Sequence, residues 1–326
     1  MNIKTILNKM TIKQIELVEN VLPKKYTEVS EFVRLDKYMR KTDFEKLSVS
    51  NLKKCKIERG EWDYPLFQMS FMNNMLVNII YCLSNGYLPY VDFKNNEGVN
   101  LWEQFLKQPY GCELLDGEET ITCDTEKANI IIPMRPSPDS IELFHKLYEK
   151  FIVFNEKTSQ YIENEYRTIL DDGKKRTIGV LCRGTDYTAN KPKGHQVQPE
   201  IKDVISLVEI KMQEFKCDYI YLATEEKKIV DEFESKFPGK ILVNKREYYD
   251  QFYNLKNENG DNVRISWVHH DRENDNYLKS LEYLSSIVLL SRCQCLIGGC
   301  CGGTQFASYM NGNKYEYCHL FDLGIY

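Results

Sequence analysis

Apolar positions recur with two different periods along the chain, and the change of period divides it into parts. Residues 1–60 are polar and helical in pattern, closing on "KKCKIERGEWDYP". The next run, "FMNNMLVNIIYCLSNGY", repeats apolar residues three and four apart, which predicts a helix that Asn85-Gly86 stops. "LPYVDF" follows as a short strand, "NLWEQFLKQP" as a helix and "ANIIIPM" as another strand. "SIELFHKLYEKFIVFNEKTSQYIENEYRTIL" reads as one long amphipathic helix with Ser137 and Asp139 as N-cap candidates. The charged, turn-rich "DDGKKR" at 171–176 marks a domain boundary.

Beyond it the alternation is regular. "TIGVLCR", "YIYLAT", "KILVN" and "CLIGG" read as strands, separated by helices at 200–215, "EEKKIVDEFESKF" and "YLKSLEYLSSIVLLSRC", with "GTQFASYM" as a closing helix. Strands that are apolar throughout, spaced by amphipathic helices, predict a parallel sheet covered on both faces. The chain is therefore predicted to be α/β in three parts: a helical segment (1–60), a first α/β domain (61–170) and a second (171–326). In such sheets a ligand sits outside the carboxyl ends of the strands.

Composition narrows the function. Apolar residues make up 42 % and charged residues 28 %, the mixture of a globular chain. A net charge of −5 gives no basic excess for nucleic acid. The 11 cysteines are odd in number and lie in apolar stretches such as "IIYCLSN" and "SRCQCLIGGCCGG", so they read as small hydrophobes in a reducing compartment. Cys293, Cys295, Cys300 and Cys301 lack a CxxC pair and a nearby histidine, which argues against structural zinc. Residues 1–22 form an amphipathic pattern without the apolar core of a secretion signal, and no stretch reaches a membrane span. The expected location is cytoplasmic; peripheral membrane association and oligomeric state stay open.

Three strand ends in the last part carry unusual residues: Arg183-Gly184-Thr185-Asp186, Thr224-Glu225-Glu226, and the glycine-rich "GGCCGGT" at 298–304. A glycine turn that opens a helix presents backbone N–H groups to a phosphate, and a guanidinium at a neighbouring strand end can grip the same phosphate. Each feature has a plainer use: tight packing for the glycines, a surface ion pair for Arg183, and acidic helix caps for Glu225 and Glu226. A GxGxxG fingerprint and a Walker lysine are both missing, against a dehydrogenase or a P-loop NTPase, and no GxSxG turn suggests a hydrolase. Together the three ends point to a nucleoside diphosphate bound without a metal.

The segments "IGVLCRGTDYTANKPKGH", "IYLATEEKKIVDEFESKFPG" and "LLSRCQCLIGGCCGGTQFASY" are similar, in order and spacing, to three motifs of the α1,6-fucosyltransferase family. The run "VNIIYCLSNGY…VDF…LWEQF" also resembles that family's first domain, so the likeness extends over roughly residues 65–310. It implies a GT-B architecture, two Rossmann-like domains with the donor in the C-terminal one (171–326) and the acceptor-side domain before it (61–170). It also implies inverting transfer from a nucleotide sugar, usually GDP-fucose, to a glycan hydroxyl in surface-polysaccharide synthesis, without an essential metal or other cofactor. By the same resemblance Arg183 contacts the donor pyrophosphate, and Asp186 and His195 fall on family positions. Thr224 and Glu226 are the polar residues after the second strand, and Cys301, Gly302 and Gly303 lie in the phosphate turn that Thr304 closes.

The chain departs from the family at identifiable places. Gly184 stands where a second arginine is common, Leu181 where a histidine contacts guanine, Ser286 where an aspartate reads the base, and Lys191 where a glutamate is the proposed base. The family's N-terminal glycine-rich loop has become "FMNNM". Glu282, one helical turn before Ser286, is the candidate replacement as reader of guanine. Asp186 is the first candidate for the general base and His195 the second, its ordinary pKa suiting the role. Lys191 and Lys193 are further cations for the departing diphosphate, and "WVHHDREND" at 267–275 is a loop near the donor. Arg135, Asn73 and Asn74 are the acceptor-side candidates. A non-catalytic nucleotide-sugar-binding protein on the same scaffold is the alternative, since the family's base is missing.

Overall fold

The computed structural model describes residues 3–19, 21–58, 69–95, 98–115, 117–124, 132–184, 191, 193–252, 256 and 268–326. They fall into two compact units. The first gathers the described residues of Met1–Trp62, Ser70–Pro133 and Lys146–Val153, the second those of Asp63–Met69, Met134–His145 and Phe154–Tyr326. No helix among the described residues is long and apolar enough to cross a membrane.

In the first unit, helices α1 (Ile3–Leu7), α2 (Ile12–Glu19) and α3 (Lys24–Lys41) close on Leu7, Ile15 and Val33. Lys37 of α3 donates its Nζ to the carbonyls of Asn8 and Met10, both at 2.7 Å, satisfying acceptors that the end of α1 leaves over. Strand β1 (Lys53–Glu58), helix α4 (Met69–Ser84), strand β2 (Tyr87–Asp92), helix α5 (Leu101–Phe105) and strand β3 (Ile121–Asp124) follow. The three strands are parallel in the order β2-β1-β3. β1 corrects the expectation that residues 1–60 are helical throughout: "KKCKIE" has period two, with Cys55 and Ile57 buried on one face and lysines between them. The strand expected at "ANIIIPM" lies largely outside the described residues.

The single helix expected at 140–170 is also two. α6 (Pro138–Phe151) starts at the cap formed by Ser137, whose Oγ accepts from the Ser140 N–H at 3.2 Å. α7 (Glu156–Leu170) starts anew because Asn155 Oδ1 accepts from the Thr158 N–H at 2.9 Å.

The second unit holds β4 (Thr177–Leu181), α8 (Ile201–Glu214), β5 (Tyr219–Ala223), α9 (Lys227–Lys236), β6 (Ile241–Leu242), α10 (Asp275–Ser291), β7 (Cys295–Gly299), α11 (Gly302–Asn311) and β8 (Tyr317–Phe321). All five strands are parallel, in the order β6-β5-β4-β7-β8. Ile178, Val180, Ile220, Leu222 and Ile297 face α8 and α9 through Val204, Val208, Ile229 and Phe233. The opposite face takes α10 and α11, where Gly179 lies so close to Leu290 and Cys293 that a Cβ would stand 3.1–3.2 Å from them. The chain thus winds outward from β4 to β6, crosses the sheet, and returns beside β4 as β7. The strand order reverses between β4 and β7, and the crevice at such a reversal is where doubly wound sheets bind ligands.

Candidate functional site

The register Leu181↔Gly298 sets the C-terminal ends of β4 and β7 side by side at this reversal. Arg183 leaves the end of β4 half-buried, its Nε 3.8 Å from Glu225 Oε2 at the end of β5. Glu226 next to it is fully buried, with Lys228 Nζ at 2.9 Å from its Oε2. Its carboxylate lies directly on the backbone of Gly184, where a Cβ would stand 2.1 Å from Oε1. The glycine that replaces the family's second arginine therefore leaves the space that Glu226 fills. Gly184→Ala is expected to cost ~1–3 kcal/mol through overpacking, read as a fall in urea midpoint.

Glu226 is the N-cap residue of α9, but its side chain does not supply the capping hydrogen bond. Asp250, from a distant loop, does so: its two carboxylate oxygens accept from the N–H groups of Lys227 and Lys228 at 2.6 and 3.0 Å. Thr224 is buried and its Oγ1 accepts from the Glu226 N–H at 3.3 Å, fixing the turn out of β5.

The turn after β7 is built by close packing and still leaves donors at its tip. A Cβ on Gly298, Gly299 or Gly303 would meet Thr304, Gln198, or Leu181 and Ile287 respectively, at 2.9, 2.2, and 2.8 and 2.9 Å. Leu181 thus seats the turn. Thr304 is buried; its Oγ1 donates to the Gly299 carbonyl at 2.8 Å and accepts from the Cys301 N–H at 3.2 Å. Cys301 is the buried N-cap of α11, its sulfur returning to the Thr304 N–H. Gly302 and Gly303 open the helix, and their N–H groups have no acceptor within it. Gln198, which sequence reasoning missed, clamps the turn through Nε2 to the Cys300 carbonyl at 3.1 Å. A guanidinium after one strand end and a helix start rich in N–H groups after the neighbouring strand end can hold a diphosphate.

Glu282 is already engaged. Arg272 donates to its two oxygens at 2.6 and 3.1 Å and to Asp275 Oδ1 at 2.7 Å. The carboxylate expected to accept from guanine is committed to a buried ion pair, and Ser286 is a buried helix residue bonded to the Tyr283 carbonyl at 2.7 Å. Burial pushes the Asp275 carboxyl up, but Arg272, the His270 N–H and Lys279 together hold it below its ordinary value. Of the 267–275 loop, His270 packs edge-on against Tyr249 and Phe252, and His269 Nδ1 is 3.7 Å from Asp275 Oδ2.

Glu165 on α7 lies near this network. Burial and the Glu282 charge push its carboxyl up to about 7, with Lys245 opposing. In the unfolded chain the same group ionises near 4.5. Between those values the folded state keeps a proton that the unfolded state has lost, so stability falls as pH rises through the window. Glu165→Gln is expected to abolish that decline and to gain on the order of 2 kcal/mol at pH 8, read from urea midpoints at pH 4, 6 and 8.

The remaining candidates are spread out. Thr185 and Asp186 lie outside the described residues. His195 is exposed, in a short antiparallel pairing where the Tyr326 N–H donates to its carbonyl at 2.9 Å. Lys191 and Lys193 are exposed, Lys191 with φ of 41°. Arg135 belongs to the second unit, where it pairs with Asp322 just past β8. Asn73 accepts from the Tyr148 hydroxyl, and the Asn74 carbonyl accepts from Asn78 at 2.8 Å. The first unit also has an open polar cavity of about 510 Å³, lined in part by Lys56, Tyr90, Asp92, Asn100 and Glu103. Lys56 reaches Asp92 at 2.7 Å, and the Tyr90 hydroxyl donates to Glu103 at 2.9 Å.

No protein-family model matches the chain, and no curated protein matches it. Among solved structures it is similar to NodZ α1,6-fucosyltransferase of Bradyrhizobium, soaked with GDP-fucose: 13 % identity, TM-score 0.45, 79 % of this chain and 92 % of that one. It is similar to POFUT1 in its apo form at 9 % identity and TM-score 0.44, over 84 % of this chain and 99 % of that one. A variant of Arabidopsis thaliana FUT1 in complex with GDP gives 10 % identity and TM-score 0.45, over 89 % of this chain and 78 % of that one. These neighbours are fucosyltransferases, the family that the three sequence motifs resemble.

Proposed function

We propose that the chain is an inverting glycosyltransferase of GT-B type that moves a sugar from a nucleotide sugar to a glycan hydroxyl in surface-polysaccharide synthesis. GDP-fucose is the donor that the motif resemblance implies. The observation that carries this reading is the register Leu181↔Gly298, which sets the end of β4, followed by Arg183, beside the end of β7, whose turn opens α11 at Gly302 and Gly303. Breaking the bond between the sugar and the β-phosphate oxygen adds one negative charge to a diphosphate that already carries two, and a guanidinium with fixed N–H dipoles stabilises that charge as it develops. A base must take the acceptor proton. Asp186, three residues past Arg183, is the assigned base, with His195 behind it. The polar cavity of the first unit is the proposed seat of the acceptor, since its carboxylates, lysines and amide suit sugar hydroxyls.

Release of nucleoside diphosphate from GDP-fucose, dependent on a glycan acceptor, is the test. Binding of the donor without acceptor-dependent release at any pH would instead select the non-catalytic reading, which the lysine at position 191, in place of the family's proposed base, favours. Transfer is further expected to keep its rate in excess EDTA, because Arg183 and the turn already meet the donor charge and a cation would compete for the same oxygens. Loss in EDTA with recovery on Mg²⁺ or Mn²⁺ would remove that role from Arg183.

A further inference from the structure

We infer that Cys55, Cys82 and Cys123 form a site for one zinc ion in the core of the first unit. The three residues come from β1, α4 and β3, well separated in sequence. The register Ile57↔Cys123, with the strand period of two, puts Cys55 and Cys123 on one face of the sheet, and α4 brings Cys82 onto that face. The side chains are 2 %, 1 % and 5 % exposed, and their sulfurs all lie within 4.8 Å of one another. None is in a disulfide. Among the described residues this is the one group of three metal-ligating side chains so disposed.

The spacing fits a cation. With zinc–sulfur bonds of about 2.3 Å, sulfurs of one tetrahedron stand about 3.8 Å apart, so closure requires movements of less than about 1 Å from side-chain torsions. The chemistry selects the ion. Thiolate sulfur binds soft and borderline cations and leaves Mg²⁺ and Ca²⁺ to oxygen ligands. Binding breaks three S–H bonds, forms three S–Zn bonds and releases three protons to solvent. The site then carries one residual negative charge with a divalent ion and two with monovalent copper. Burial penalises the larger charge, which favours zinc, with its fourth position left to a neutral oxygen ligand. The ion would tie the central strand of the sheet to its neighbour and to the covering helix, and the site is independent of the proposed transferase chemistry.

The test uses the full-length chain, reduced without thiols, loaded anaerobically with Zn²⁺ or, in a second arm, Cu⁺, and freed of loose metal by gel filtration. One zinc per chain is expected, with three sulfur scatterers at about 2.3 Å in its X-ray absorption spectrum. Removing a metal's outer-shell partner costs 10–100-fold in affinity, so loss of a ligand in Cys82→Ala is expected to cost at least ~10-fold. Cys217→Ala, in the second unit, is expected to keep the ion. Less than a tenth of a zinc per chain, a sulfur-free shell, retention of copper alone, or loss in the Cys217 variant would each overturn the assignment. Should Cys82→Ala not fold, the wild-type stoichiometry and spectrum decide the question without it.

Discussion

Arg183→Ala is expected to lower kcat/KM for sugar transfer by about 30- to 1,000-fold, equivalent to ~2–4 kcal/mol of transition-state stabilisation. The side chain leaves the end of β4 half-buried, beside the strand whose turn opens α11. Its contact with Glu225 is long, at 3.8 Å, and a melting temperature measured beside the kinetics separates lost chemistry from a lost fold. Arg183→Lys should recover only part of the rate, because an ammonium cannot make the two parallel bonds of a guanidinium. Steady-state kinetics with varied donor separate the two variants. A near-normal kcat/KM in Arg183→Ala would place the diphosphate elsewhere.

Arg272→Ala is expected to destabilise the protein by ~3–5 kcal/mol, because it strands the buried carboxylate of Glu282 and takes one of its partners from buried Asp275. For a unit of this size that is a fall in Tm of roughly 6–20 °C. Replacing the pair together, as Arg272→Met with Glu282→Leu, should restore much of the loss, since neither charge is then left alone. Scanning calorimetry on the three proteins measures this. Asp275 adds an acid dependence. Its folded carboxyl lies below the ordinary 3.8, so its contribution is present above that pH and is lost as pH falls through the lowered value. A single variant that melts with the wild type would mean the pair contributes nothing to the fold.

Much of the second unit was legible because β4, β5 and β7 are buried on both faces, and such strands write themselves as unbroken apolar runs. β1 was not legible: lysines on its half-exposed face make "KKCKIE" look like the polar helical segment before it. β8 was missed for a related reason, since an edge strand with Glu316 before it and His319 within it carries little apolar signal. The break between α6 and α7 lies in one cap, Asn155, inside a pattern whose periodicity hardly changes.

The site divides the same way. Arg183 and the 298–304 turn stood out as charge and glycine at the ends of apolar runs, which local sequence can show. Asp250 capping α9, Gln198 clamping Cys300 and Arg272 holding Glu282 did not, because each pairs a loop residue with an element that only the fold brings near. Asn244 could have been noticed, as a polar residue closing the run "KILVN"; its Nδ2 donates to the Glu282 carbonyl at 3.0 Å.

A crystal structure of the chain with GDP bears most directly on the nucleotide-sugar assignment. The β-phosphate is expected at the β4/β7 reversal, within hydrogen-bond distance of the Arg183 guanidinium and of the Gly302 and Gly303 N–H groups. A diphosphate bound away from all three, or a chain that takes up no nucleoside diphosphate at millimolar concentration, would refute it.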